Sequence, residues 1–177
     1  MGLNLHRDRL CVVQFSNGDG RAFLVKFDGG DYSAPNLKKL LSNEDVTKIF
    51  HFARFDLAAL KKYLNLDLKN VFCTKVASKL VRTYTEYHGL KELCRELLNI
   101  QISKQQQSTY WGNESLTREQ MDYAAGDVLY LHEIREILIT MLKREGRFEI
   151  ANKLFEFLPT RAILDLEGWN DIDIFAH

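Results

Sequence analysis

Short β-rich runs alternate along this chain with longer segments whose apolar residues recur at i, i+3 and i+4, and that alternation points to an α/β layer fold. Residues 10–15 and 22–27 are β-rich and flank Asn17-Gly18-Asp19-Gly20, a set suited to the turn of a hairpin, so two antiparallel strands are expected there. Pro35 suits a first helical turn, and Leu37, Leu40 and Leu41 follow at helical spacing. Residues 46–52 read as a buried strand and residues 56–64 as a helix, which puts Asp56 at a strand-to-helix junction. A short strand around Val71-Phe72-Cys73 precedes helices over 75–81 and 89–98. Thr117-Arg118-Glu119-Gln120 matches a capping box and opens a long helix running through Ile134, Leu138 and Met141 toward Gly146. A last helix over 148–157 is expected to stop before Pro159.

At 177 residues the chain suits one compact domain, because a chain of this size buries roughly 70 % of its unfolded surface. Hydrophobic residues make up 46 % and charged residues 27 %, and no apolar run approaches the roughly 20 residues of a membrane span, so a soluble chain is expected. The amino terminus lacks the apolar core of a secretory signal. Cys11, Cys73 and Cys94 are odd in number and set in hydrophobic segments, which favours three buried thiols in a reducing, cytoplasmic compartment over a disulfide or zinc framework. Twenty-four basic residues balance twenty-four acidic ones, against a broad cationic surface for duplex binding but compatible with a site that grips a few terminal nucleotides.

A helix places Tyr123 and Asp127 one turn apart on one face. With Asp56 after its strand, the pair can offer hard oxygen ligands to magnesium or manganese, although a divalent-ion site needs more than these two carboxylates. The same residues suit a helix cap and a surface acid, and a helical Tyr commonly packs its ring in a core. His51, His88 and His132 show no metal-ligand spacing and read as satisfied structural histidines. Lys104-Gln105-Gln106-Gln107-Ser108-Thr109-Tyr110-Trp111 suits a phosphate- and base-contacting loop as well as a polar loop anchored by Trp111. No phosphate-cradling glycine motif and no nucleophile elbow is present.

Taken in order along the chain, these segments resemble the ribonuclease-D-like branch of the DEDD 3′–5′ exonucleases, in its tyrosine-containing form. The resemblance rests on Tyr123-Ala124-Ala125-Gly126-Asp127-Val128-Leu129-Tyr130-Leu131, His51-Phe52-Ala53-Arg54-Phe55-Asp56, the Gln-rich loop ending in Trp111, and His88-Gly89-Leu90-Lys91. It implies a ribonuclease-H-like fold, a mixed sheet flanked by helices, over the whole of residues 1–177. It also implies hydrolysis of a terminal phosphodiester at a 3′ end of RNA or single-stranded DNA, with two divalent ions, Mg2+ or Mn2+. By resemblance Asp56 and Asp127 are metal ligands, Tyr123 positions the attacking water, and Lys104, Gln105 and Gln106 face the substrate.

The family's other two acids form an Asp-x-Glu pair on the first central strand, followed by Gly-Leu. Gly2-Leu3 stands as that Gly-Leu, with Leu3 on the substrate side, so the pair is expected upstream of Met1, in a longer gene product. The expected consequence is a sheet lacking its central strand and impaired two-metal binding in these 177 residues; a non-catalytic nucleic-acid-binding or assembly module is the alternative. An open sheet position accepts a strand, which makes a homodimer an expectation. Phe52 stands where the family has a polar residue and Tyr110 where it has an Asp, and the helical domain that follows the core in longer ribonuclease D proteins is not expected here.

Overall fold

A computed structural model describes residues 7–103, 105–106 and 109–176 of the chain. The hairpin forms as expected: β1 (Val12–Phe15) pairs antiparallel with β2 (Phe23–Lys26), and the Phe15 and Phe23 rings stack with centroids 5.4 Å apart. Its turn needs Gly18, whose φ of +84° is strained for any side chain and where a Cβ would come within 3.0 Å of the His132 ring. Pro35 opens α1 (Pro35–Ser42), which buries Leu37 and Leu41.

β3 (Lys48–Phe50) and β4 (Val71–Cys73) pair in parallel, Phe50 opposite Cys73, and are joined through α2 (Ala53–Leu64). The strand expected over 46–52 is therefore shorter, since Val46 is exposed and Phe52 turns into the left-handed region at φ +68°. That turn also starts α2 three residues before the expected boundary, so Asp56 lies in its first turn. Among the described residues the four strands form these two separate pairs, one antiparallel and one parallel.

The helices α3 (Thr74–Val81) and α4 (Leu90–Leu98) match their expected segments, with Gly89 as the α4 cap. Thr117 and Gln120 make both bonds of the capping box at the head of α5 (Arg118–Gly126). The single long helix does not follow, because α5 ends at Gly126 and α6 (Leu131–Arg144) begins after a turn. Glycine is a poor helix former, and beyond it the Val128 N–H reaches back only three residues, to the Ala125 carbonyl, tightening the backbone out of α geometry.

α7 (Phe148–Leu166) continues through Pro159, contrary to the expected stop. A proline inside a helix costs about 3 kcal/mol. What offsets it is packing on both sides: Phe155, Leu158 and Ala162 are buried, and Pro159 and Ala162 line one crevice with Leu57 of α2. Farther along, buried Asp165 takes the Arg54 guanidinium at 2.6 Å and that of Arg161 at 3.0 Å, fastening α7 to α2. One core joins α2, α3, α4, α6 and α7 around Leu93, Ile134, Leu138, Leu142 and Ala151, all with no exposed surface. Among the described residues no helix is long and apolar enough to cross a membrane. Cys73 and Cys94 are buried, but Cys11 is only half-buried because it precedes the edge of the hairpin, and no disulfide joins any of the three.

Candidate active site

Two elements bring the sequence-derived acids together. The first is the β3–α2 junction, where the Ala53 N–H donates to the Cys73 Sγ at 3.4 Å, His51 Nδ1 meets Thr74 Oγ1 at 2.9 Å, and that hydroxyl donates to the Phe50 carbonyl at 3.2 Å. These ties hold the first turn of α2, and with it Asp56, to the end of β4. The second is the C-terminal end of α5, where the Asp127 N–H donates to the Tyr123 carbonyl at 3.3 Å, so the one-turn spacing survives although the helix ends there.

Asp56 is half-buried, and the protein packed around its carboxyl, followed by the Asp127 charge, pushes that carboxyl up to about 7. Asp127 is raised to about 6 by burial, partly offset by a hydrogen bond from the Tyr123 hydroxyl. Repulsion between the two is mutual, so their protons belong to the pair. Neither acid is a surface group or an N-terminal side-chain cap: α2 has no side-chain cap bond, and Asp127 closes α5 through its backbone.

Tyr123 is pushed up to about 12 by burial and by the Asp127 carboxylate, so its hydroxyl stays protonated at neutral pH and acts as a donor. Its ring rests 6.0 Å from that of buried Trp111. Trp111 is in turn set by Gln120, whose amide donates to the neighbouring Tyr110 carbonyl at 3.0 Å. A cleft of about 360 Å³ opens beside Tyr123 and Asp127, with Gln105, Gln106, Ile102 and Ser103 on its wall. The structure thus gathers Asp56, Tyr123, Asp127, Gln105 and Gln106 at one place, while Leu3 and Lys104 lie outside the described residues.

Cys94, expected as a buried thiol, is buried within reach of the Asp127 charge, and burial followed by that charge raises it to about 11. The hydrophobic segment around it signalled the burial, and nothing local signalled the nearby acid. The histidine reading holds for His51 and for His88, which meets Ser78 Oγ at 2.9 Å. It fails for His132, whose Nδ1 is buried without a hydrogen-bond partner as the ring packs on the hairpin turn. Among the described residues no group of three or more His, Cys, Asp or Glu converges in a metal-binding arrangement, although Glu119 and Asp122 also line the cleft beside Asp127. Two half-buried carboxylates that repel each other are a donor set whose charge a hard divalent cation relieves, and to that extent the residues fit one.

The family model for 3′–5′ exonucleases matches residues 1–143. The chain belongs to that family. Within it, ribonuclease D of Sphingobium indicum is 33 % identical over 139 residues, covering 78 % of this chain. The chain spans about 35 % of the length of that relative. Among solved structures, Brucella melitensis NrnC is 57 % identical with a TM-score of 0.97, the match covering 99 % of this chain and 85 % of that one. The same protein bound to pGG matches at 56 % identity and a TM-score of 0.96, covering 99 % and 85 % of the two chains. With bound Mg2+ it matches at 55 % and 0.95, covering 99 % and 86 %. The ribonuclease-D-like, ribonuclease-H-like exonuclease fold expected from the sequence is therefore the fold of this chain.

Proposed function

We propose that this chain is the catalytic unit of a 3′–5′ exonuclease that removes nucleotides from the 3′ end of a short single-stranded RNA or DNA, with Asp56, Asp127 and Tyr123 at its centre. The observation that carries this reading is a cleft lined by Asp127 and a protonated Tyr123, with the half-buried Asp56 carboxyl close enough to feel the Asp127 charge. Perturbed, coupled acids in a cleft mark a functional site. The cleft is at the small end of ligand-site volumes, so it suits a strand terminus and not a duplex. NrnC structures with pGG and with Mg2+ support the substrate and ion classes.

Asp56 and Asp127 would supply two of the acidic ligands for the divalent ions, Mg2+ or Mn2+, with the Asp-x-Glu pair that the resemblance places before Gly2 completing the set, and the ions would supply Lewis-acid stabilisation of charge growing on the phosphoryl oxygens. The chain's own residues do the rest. Tyr123 holds its hydroxyl proton toward Asp127, which fixes the carboxylate and leaves an oxygen donor-acceptor pair at the cleft edge to orient a water. Gln105 and Gln106 offer amides to phosphate and sugar along the wall. Protein around the acids excludes bulk water and strengthens these interactions. The test is shortening of 5′-labelled single-stranded RNA in manganese. Ladders that appear with the parent chain and vanish with Asp127→Asn support the reading, whereas RNA that is bound but never shortened favours the non-catalytic module.

A further inference from the structure

One aromatic beside this site is unexplained by packing. Phe52 ends the β3–α2 connection four residues before Asp56, keeps 41 % of its surface exposed, and sits at φ +68°. A bulky side chain in that region costs about 1–3 kcal/mol and persists only where its surroundings over-determine it. The His51, Thr74 and Cys73 ties at the junction provide that restraint. Burial of the ring does not offset the strain, because much of it faces solvent.

A cation accompanies it. The Lys75 Nζ lies 4.2 Å from the centre of the Phe52 ring. Phe52 follows the carboxyl end of β3 and Lys75 the carboxyl end of β4, and these ends are adjacent because Phe50 pairs with Cys73. In open α/β sheets ligands bind beyond the carboxyl ends of the strands. An exposed aromatic with an ammonium on it, one turn from a catalytic carboxylate, matches the chemistry of a nucleobase followed by its phosphate.

We propose that Phe52 and Lys75 form a strand-binding contact: a substrate base stacks on the Phe52 ring and the adjoining phosphate pairs with the Lys75 ammonium. This rests on the exonuclease reading and deepens it, because affinity would come from the base as well as the backbone. The contact tolerates any base, since every base offers a π-face.

Calorimetric binding of pGG, and of an analogue carrying the same sugars and phosphates without bases, tests it in calcium buffer on the full chain. Base–aromatic stacking is worth about 1–3 kcal/mol, and 1.4 kcal/mol is tenfold, so Phe52→Ala is expected to weaken pGG roughly tenfold or more. The same change should leave the baseless analogue unaffected, and Phe52→Trp should retain pGG affinity. Lys75→Gln should weaken both probes and reduce the slope of log K against log salt by about 0.7, one phosphate contact on a single strand. Equal pGG affinity for Phe52→Ala and the parent overturns the proposal while leaving the exonuclease reading intact. A parent chain that binds neither probe and shortens no RNA overturns both.

Discussion

Replacing Asp56 by Asn is expected to stabilise the metal-free protein above neutral pH and not in acid. In the folded chain the Asp56 carboxyl is held at about 7 against an ordinary 3.8, mainly by burial and then by Asp127. Below pH 3.8 both folded and unfolded forms are protonated and the group is neutral to stability. As pH rises from there the unfolded carboxyl ionises first, so stability is lost progressively until the folded group ionises near 7, and the loss is complete above that.

Three tenfold steps at about 1.4 kcal/mol each set a ceiling of about 4 kcal/mol. Sharing of one proton with Asp127 and partial solvent access reduce that to about 2–3 kcal/mol. An unpaired asparagine amide gives back about 1 kcal/mol. The net gain at pH 8 is then about 1–2 kcal/mol, or roughly 3–6 °C in Tm for a chain of this length. At pH 4.5 the amide cost alone remains and the variant should melt slightly below the parent. Melting by circular dichroism in EDTA at both pH values measures this. A Tm difference that is the same at pH 4.5 and pH 8 would refute the electrostatic argument. Saturating Mn2+ at pH 7.5 should raise the Tm of the parent, as any ligand of the folded state does, and raise that of Asp56→Asn less.

Phe52→Gly should raise stability by about 1 kcal/mol by relieving the left-handed backbone, read as a higher denaturant midpoint, while pGG binding falls. Asp165→Asn strands Arg54 and Arg161 without their buried carboxylate and should cost about 3 kcal/mol in urea unfolding; a cost below about 1 kcal/mol would remove the pair from the account of why α7 survives Pro159. Gln120→Ala removes the capping-box return bond and the tie to the Tyr110 carbonyl, so it should lower stability by about 1–2 kcal/mol and alter Trp111 fluorescence. Tyr123→Phe should lower kcat of RNA shortening by about a hundredfold with KM little changed, since it removes one oriented hydroxyl and no apolar contact.

Where local chemistry decided the outcome, the sequence was readable. The hairpin turn, the Pro35 helix start and the Thr117–Gln120 box each depend on residues within a few positions of one another, and all three form as expected. The misses lie where local preference meets tertiary packing. Pro159 reads as a helix stop, but Asp165, Leu158 and Ala162 lie beyond or beside it and gain more from α2 than the lost backbone bond costs. The break after Gly126 is the converse, since the apolar repeat of α6 carries on smoothly across a point where the backbone tightens. Asp56 and Asp127 were each visible as acids in apolar sequence, yet their mutual repulsion depends on a fold that joins positions 71 residues apart.

Three unfavourable features share the ends of β3 and α5. Phe52 is strained, Asp56 is desolvated, and Asp127 opposes Asp56 across the site. Each lowers stability by an amount a single substitution would recover, whereas a core of fully buried aliphatics and a complete capping box support the fold around them. Several unfavourable features gathered at one corner of a fold mark a place where the sequence serves binding and chemistry instead of folding. It follows that the two acids and the exposed phenylalanine should respond to stabilising substitutions in the same sense, gaining stability as function is lost. Among the predictions above, Asp56→Asn and Phe52→Gly test that common sign from independent physical causes, one electrostatic and one conformational.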